Sequence, residues 1–217
     1  MQRGKLNVQP ENDQWEKIFS SAGHVLPEPA PLVMRFAELL QVRGATSILD
    51  LGCGTGRHVV HLSKNGFHTV GLDNAPTALK LTREWLQEEQ LDADLSLADM
   101  RRSLPFRDNA FDAVLSTQVI HHALLGTVIA TAREIERVVR MGGTILISVP
   151  GRKAIAADAP AHDEIEPNTF VPTSGSEKGL PHHLLTPDEF RNIFPQFDVL
   201  DLQVIDDRII ALTASKI

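Results

Sequence analysis

Apolar residues recur along this chain with two periods, and the switching between them predicts alternating helices and strands. Leu32, Val33, Phe36, Leu39 and Leu40 share one helical face, in a segment that ends near Gly44. Ser47 to Leu51 then reads as a short strand running into glycines, Val59 to Leu62 as a helix closed by Asn65-Gly66, and Thr69 to Asp73 as a second strand. This is a β-α-β unit. The alternation continues with a helix over Pro76 to Glu89, strands over Leu95 to Ala98 and Phe111 to Thr117, and a helix over Thr127 to Arg140. Val128, Thr131, Ile135 and Val138 mark the apolar face of that last helix, and Gly142-Gly143 is expected to stop it before the strand Thr144 to Val149. Further on, Thr186-Pro187-Asp188-Glu189 reads as a capping box with proline at the first helical position, opening a helix through Phe194. Two β-rich runs, Phe197 to Ile205 and Arg208 to Ser215, flank Asp206-Asp207 and predict an antiparallel hairpin across a tight turn.

Such alternation implies an α/β fold: a Rossmann-like three-layer sandwich with a seven-stranded, mostly parallel sheet, to which the terminal hairpin adds one reversed strand. No internal repeat divides the chain, so 1–217 is expected to form a single domain. Its stretch 151–185 is rich in Pro, Gly, Ser, His and acids, with little periodicity. A structureless run of that length predicts a lid over a site, with a mobile surface insertion as the plainer alternative. In the segment 1–44, Trp15 and Phe19 lie four residues apart and predict either an apolar flap over the site or a hydrophobic anchor for an N-terminal helix.

Composition narrows the function classes. The chain has 217 residues, 42% hydrophobic and 23% charged, which is ordinary for a globular domain. With 21 Lys+Arg against 28 Asp+Glu the net charge is −7, so no overall basic field exists to attract nucleic acid or an anionic membrane. One cysteine, Cys53, excludes an intrachain disulfide and any multi-cysteine zinc site, and suits a reducing compartment. The polar N-terminus lacks the apolar core of a signal peptide and no membrane-spanning run occurs, so a cytoplasmic location is expected.

The most informative segment is Ile48-Leu49-Asp50-Leu51-Gly52-Cys53-Gly54-Thr55-Gly56, between the first strand and its helix. Glycines there let the backbone turn sharply and approach a ligand at the carboxyl end of the strand, where open α/β sheets bind ligands. A dinucleotide site would carry G-x-G-x-x-G, yet the third position counted from Gly52 is Arg57 and the spacing is G-x-G-x-G. Asp50 beside the turn would repel a pyrophosphate and attract a cation. S-adenosylmethionine (SAM) has no phosphate and carries an ammonium and a sulfonium, so these residues favour it over NAD. Cys53 reads as a small turn residue rather than a nucleophile.

On these residues the chain resembles the class I SAM-dependent methyltransferases, most strongly over about 46–150. The resemblance implies a strand order of 3-2-1-4-5-7-6 with strand 7 antiparallel, and SAM as cofactor. Asp50, Gly52, Cys53, Gly54 and Gly56 would hold its methionine end, with Arg57 either reaching the carboxylate or standing on a solvated helix face. Asp73, followed by Asn74, matches the acid that accepts both ribose hydroxyls, as two carboxylate oxygens suit a vicinal diol. Asp99 and Met100 match the positions beside the adenine, and Thr117 and Gln118 those lining the methionine moiety.

Methyl transfer from a sulfonium mainly needs acceptor and donor positioned in a dry site, and a base only where a proton must leave. The chain contains no tyrosine, which leaves His, Asp or Glu. His121 and His122 follow the fourth strand directly and are the catalytic candidates, with packing or capping as the alternative. His182 and His183 end the expected lid and, with Trp15 and Phe19, are the substrate-side candidates. These four histidines together with Asp163, Glu164 and Glu166 could hold a metal in principle, but no i, i+4 or C-x-x-C spacing supports it, and no metal is expected. Val119-Ile120-His121-His122 is similar to a short motif of tRNA wobble-uridine methyltransferases, whereas the acidic net charge and the absence of a Lys/Arg-rich stripe argue against an RNA partner. Small-molecule-type bacterial and archaeal members are similar in the N-terminal Trp15 to Phe19 segment and in the patterns Glu166 to Phe170 and Pro181 to His183. The expected partner is therefore a small-molecule methyl acceptor, acted on by a monomer or homodimer without nucleic acid or membrane. The alternatives are a tRNA-modifying enzyme and a SAM-binding module without catalysis.

Overall fold

A computed structural model describes residues 12–24, 26–151 and 161–217. In chain order these form α1 (Asn12–Ala22), α2 (Pro31–Val42), β1 (Ser47–Leu51), α3 (Arg57–Lys64), β2 (His68–Asp73), α4 (Pro76–Glu88), β3 (Asp94–Leu97) and β4 (Phe111–Thr117). There follow α5 (Leu125–Val138), β5 (Val139–Pro150), β6 (His162–Glu166), β7 (Thr169–Pro172), β8 (His182–His183), α6 (Pro187–Asn192), β9 (Phe197–Ile205) and β10 (Ile209–Lys216). Of the segments expected to act as flap and lid, residues 1–11, 25 and 152–160 lie outside the described residues.

Seven strands form one sheet in the order β3-β2-β1-β4-β5-β10-β9, with β10 antiparallel to both β5 and β9. The expected arrangement is therefore present, and its numbering shifts only because three short strands intervene in the chain. β1, β4 and β5 are buried on both faces, which is why they read as near-continuous apolar runs. One face packs Ile48, Ala113, Leu115 and Leu146 against Val33, Phe36 and Leu40 of α2. The other packs Leu49, Val114, Ile145 and Ile147 against Val128, Ile135 and Val138 of α5 and Phe190 of α6. The capping box of α6 forms as expected: the Glu189 N–H donates to Thr186 Oγ1 at 3.2 Å, and the Thr186 N–H to Glu189 Oε2 at 2.8 Å.

Two expectations are corrected. Gly142-Gly143 does not end α5, which stops at Val138 and passes directly into β5. Buried Lys216 closes that helix instead, its Nζ donating to the carbonyls of Glu136 and Val139 at 2.6 and 2.8 Å. Gly143 is needed inside β5 because a Cβ there would lie 2.8 Å from the Asp112 carbonyl. The stretch 151–185 is not structureless either. Its described part carries the antiparallel sheet β6-β7-β8, hidden from the sequence pattern because β6 is acid-rich and half exposed, without apolar alternation. This small sheet is docked on the domain: Glu166 Oε1 accepts the Leu125 N–H at 2.6 Å, supplying the cap that Leu124 cannot, and the His183 N–H donates to the His121 carbonyl at 2.8 Å.

No helix among the described residues is long and apolar enough to cross a membrane.

The turn between β9 and β10 places Asp206 (φ 50°) and Asp207 (φ 57°) in the left-handed region, closed by Arg208 N–H donating to Ile205 C=O at 2.9 Å. Such turns favour Asn-Gly or Asp-Gly. Asp207→Gly should therefore raise stability by about 0.5–1 kcal/mol, read as a higher urea midpoint at unchanged m-value; a lowered midpoint would count against this account of the turn.

Candidate active site

The glycine turn after β1 is folded against β2 and β4. Gly52 and Cys53 N–H groups both donate to the Leu72 carbonyl, at 2.8 and 3.0 Å. Gly52 has φ +75°, and a Cβ there would lie 2.3 Å from Val119 Cγ1; at Gly56, φ +88°, a Cβ would meet Thr82 Cγ2 at 2.5 Å. Only glycine meets both the conformation and the closeness at these two positions. Asp73, at the tip of β2, accepts the Gly54 N–H at 2.8 Å with Oδ2 and the Ala75 N–H at 3.0 Å with Oδ1, so one carboxylate fixes both the glycine turn and the start of α4.

These elements border an open cleft of about 1000 Å³, counted out to solvent. Of the sequence-derived cofactor residues, Gly52, Cys53, Gly54, Arg57, Asp73, Asn74, Asp99, Met100, Thr117 and Gln118 line it, and so do Trp15, Phe19 and His122. Asp50, Gly56, His121, His182 and His183 do not line the cleft. Gly56 shapes the turn from behind, and Asp50 lies beneath it, 1% exposed. Trp15 and Phe19 stack with centroids 5.9 Å apart, and Trp15 meets the His122 ring edge-on at 4.9 Å. Helix α1 is held in this position by Glu16, whose carboxylate accepts the Thr77 N–H at 3.0 Å and bonds the Thr77 hydroxyl. It therefore both anchors the N-terminal segment and walls the cleft.

The buried acids differ in state. Desolvation raises the Asp50 pKa to about 7 despite the nearby Arg57 guanidinium, and its Oδ2 has no hydrogen-bond partner. A buried carboxyl oxygen without a partner is costly and suits a cationic ligand group at this end of the cleft. Asp73 is likewise raised by burial, while the backbone N–H groups it accepts oppose that rise. Asp99 is already engaged by Arg101, which donates Nε to Oδ1 at 2.8 Å and Nη2 to Oδ2 at 2.7 Å. A carboxylate offers about four acceptor sites, so this bidentate pair leaves room for a further donor.

The histidines separate into distinct groups. His183 is fully buried and its Nδ1 lies 2.7 Å from Thr169 Oγ1, a structural contact within the small sheet. His121, His122 and His182 converge instead, with ring centroids 3.9, 4.7 and 5.6 Å apart. Burial holds the imidazole pKa of His122 down at about 3, that of His182 at about 4 and that of His121 well below its usual value. Near neutral pH they are uncharged lone-pair donors.

Sequence reasoning passed over His58 and Arg101. His58, buried on α3, accepts the Ala30 N–H through Nε2 at 3.3 Å, which leaves the proton on Nδ1, 3.4 Å from Thr117 Oγ1. Its position directly after Arg57 at the helix start was the available signal. Arg101 follows Asp99 by two residues and could be read as that acid's partner only once the turn was known.

Residues 49–147 match the family described as Methyltransferase domain. The chain is 36% identical over 112 residues to the 18S rRNA (guanine(1575)-N(7))-methyltransferase of Saccharomyces cerevisiae, covering 50% of this chain and 38% of that protein. It is 30% identical over 146 residues to Probable tRNA methyltransferase 9B of Bos taurus, covering 67% and 30% respectively. In each case the match spans about a third of the relative's length. The fold is shared with a crystallised S-adenosylmethionine-dependent methyltransferase from Clostridium acetobutylicum, at a TM-score of 0.69 and 12% identity over 93% of this chain and 96% of that one. The expected type of domain, and SAM as its cofactor, are borne out. The expectation of a small-molecule acceptor with no nucleic acid is overturned by the rRNA and tRNA methyltransferases among its relatives. It rested on the acidic net charge, on the absence of a Lys/Arg-rich stripe and on short patterns similar to small-molecule-type members, and net charge says little about a local contact.

The raised pKa of Asp50 fixes the sign of a stability change. The folded state keeps this proton up to about pH 7, whereas the unfolded carboxyl loses it near 3.8, so Asp50 removes stability as pH rises between those values. Asp50→Asn lacks the effect. Without ligand, the stability of the wild type relative to this variant should fall by up to about 1.4 kcal/mol per pH unit across that window and level off above it. Parallel urea titrations from pH 4 to about 8 check this, and a difference independent of pH would refute it.

Proposed function

Residues 49–147 are a methyltransferase domain of the class I, SAM-dependent type, and on that premise we propose that this protein methylates a nucleobase of RNA. The observation that carries the cofactor half is the unpartnered, buried Asp50 carboxyl beneath a glycine turn that also borders Asp73. Bound SAM supplies an electrophilic methyl group on a sulfonium. The backbone of Gly52 to Gly54, with Asp50 beneath the turn, would hold the ammonium end, Asp73 would accept the ribose hydroxyls, and Asp99 and Met100 would flank the adenine. Thr117 and Gln118 line the methionine portion. Gln118 has φ 57° and is fixed by its N–H donating to the Ser148 carbonyl at 2.8 Å, a constrained backbone at the tip of β4 of the kind that gathers at functional sites. Trp15 and Phe19 exclude water from the cleft, and His122 faces the acceptor end.

RNA as acceptor is supported by the relatives' activities, by the short motif Val119 to His122, and by local charge. Arg57 and Arg101 line the cleft beside Asp73 and Asp99, with Arg101 paired to Asp99, and exposed Arg102 follows Arg101 in the chain, so single cationic groups stand near the cleft although the whole chain is acidic. A phosphate beside the target base needs only such a local field. A planar base would enter along the apolar wall of Trp15, where stacking is available.

Two experiments test this. Calorimetric titration with S-adenosylhomocysteine should show binding that Asp73→Asn weakens by on the order of 1–3 kcal/mol, and unchanged affinity would remove Asp73 from the cofactor site. Methyl-labelled SAM incubated with the protein and total cellular RNA should give ribonuclease-sensitive label, and Arg102→Glu should reduce that transfer while leaving S-adenosylhomocysteine affinity intact. Cofactor binding with no label in RNA would overturn the acceptor assignment and leave the cofactor assignment standing.

A further inference from the structure

His121 and His122 occupy the turn after β4, and His182 lies on β8, about sixty residues further along the chain. One backbone bond joins the two segments, His183 N–H to His121 C=O at 2.8 Å, and two shape the turn itself, Ala123 N–H to His121 C=O at 2.8 Å and His122 N–H to Val119 C=O at 3.1 Å. One nitrogen from each of the three rings lies within 4.8 Å of those from the other two. His121 Nδ1, His122 Nδ1 and His182 Nε2 are buried without a hydrogen-bond partner. Glu177 Oε2 stands 3.3 Å from His182 Nε2 but off the line of a hydrogen bond.

Three unpartnered buried ring nitrogens in one cluster are an expensive arrangement for packing alone, since each buried unsatisfied polar group costs about 1–3 kcal/mol. A cation that accepts three lone pairs removes the cost at once. We propose that His121, His122 and His182 form a three-imidazole site for a divalent transition ion, Zn²⁺ foremost, at the acceptor end of the cleft. Three neutral imidazoles with no thiolate suit zinc, which takes them at about 2.0–2.1 Å and leaves a fourth position open; Mg²⁺ and Ca²⁺ prefer oxygen. Tetrahedral ligation brings the nitrogens to roughly 3.3 Å apart, a small inward rotation from the ring positions here. Glu177 lies beside the same His182 Nε2, on the side the ion would occupy rather than behind the ring. Of the three, His122 also borders the cleft, which puts the site next to the space where an acceptor would lie. The site depends on the histidine geometry alone and stands whether or not the acceptor is RNA.

The whole chain, stripped with chelator and dialysed, should take up one Zn²⁺ per molecule by elemental analysis and no Mg²⁺. With Co²⁺ as the probe it should develop the visible absorption of a four-coordinate site. His121→Asn and His182→Asn should each weaken Co²⁺ binding by on the order of 100-fold, judged only in a variant whose near-ultraviolet circular dichroism is native. His182 is the safer site, its side chain being 17% exposed. His68→Asn, at an exposed histidine paired with Asp94, should leave uptake unchanged. Failure to retain Zn²⁺ at micromolar free metal would overturn the proposal, as would undiminished Co²⁺ binding in the folded His182→Asn variant.

Discussion

The site depends on one carboxylate accepting two backbone donors. Asp73 reaches across from β2 to the Gly54 N–H and back to the Ala75 N–H, at 2.8 and 3.0 Å. Glycine turns are flexible unless something holds them, and here the charge at the end of the neighbouring strand does so. Because β1 and β2 run parallel, with Leu51 opposite Leu72, their ends reach the same edge of the sheet and the reach is short. The same bond places Ala75 and hence Thr77, which Glu16 of α1 grips, so the wall containing Trp15 and Phe19 is positioned through Asp73 at one remove.

Burial acts on this site in two directions. It raises Asp50 to about pKa 7 and lowers His122 to about 3, because a poorly solvated interior penalises the charged form of either group. The interior under the cleft is thus largely uncharged without ligand, although it is built from acids and histidines. That matches what the proposed ligands bring: an ammonium for Asp50 at one end and a metal ion for the imidazoles at the other. An imidazole held near pKa 3 is a weak proton acceptor at neutral pH, so the His122 ring is uncharged there and keeps its lone pair.

Much of this was legible in the sequence, for reasons specific to each element. The spans Ser47–Leu51 and Phe111–Thr117 emerge with the observed bounds because strands buried on both faces leave unbroken apolar runs between polar turns. Most of the cleft-lining residues were legible because the carboxyl ends of successive parallel strands fall together in space as they do in chain order. What stayed hidden depended on contacts across the chain. The end of α5 is set by Lys216, eighty residues away, and the local glycine pair misdirects the reading. The small sheet β6-β7-β8 is built on polar, exposed strands and docks through Glu166, neither of which leaves a period.

The histidines show the same distinction most sharply. Metal motifs are recognised in sequence when both ligands sit on one helix or one turn, since i, i+4 spacing then fixes geometry locally. Here two rings lie on one loop and the third on a strand of the docked insertion, and contacts across the chain such as the His183 to His121 backbone bond bring them into register. Spacing arguments therefore had nothing to detect. Summed charge misled in an analogous way over the acceptor, since a total of −7 says nothing of where single charges such as Arg57 and Arg102 stand. In both cases a quantity taken along the chain replaced one defined in space, and the sheet's parallel edge, where strand ends and inserted segments meet, is where the two differ most.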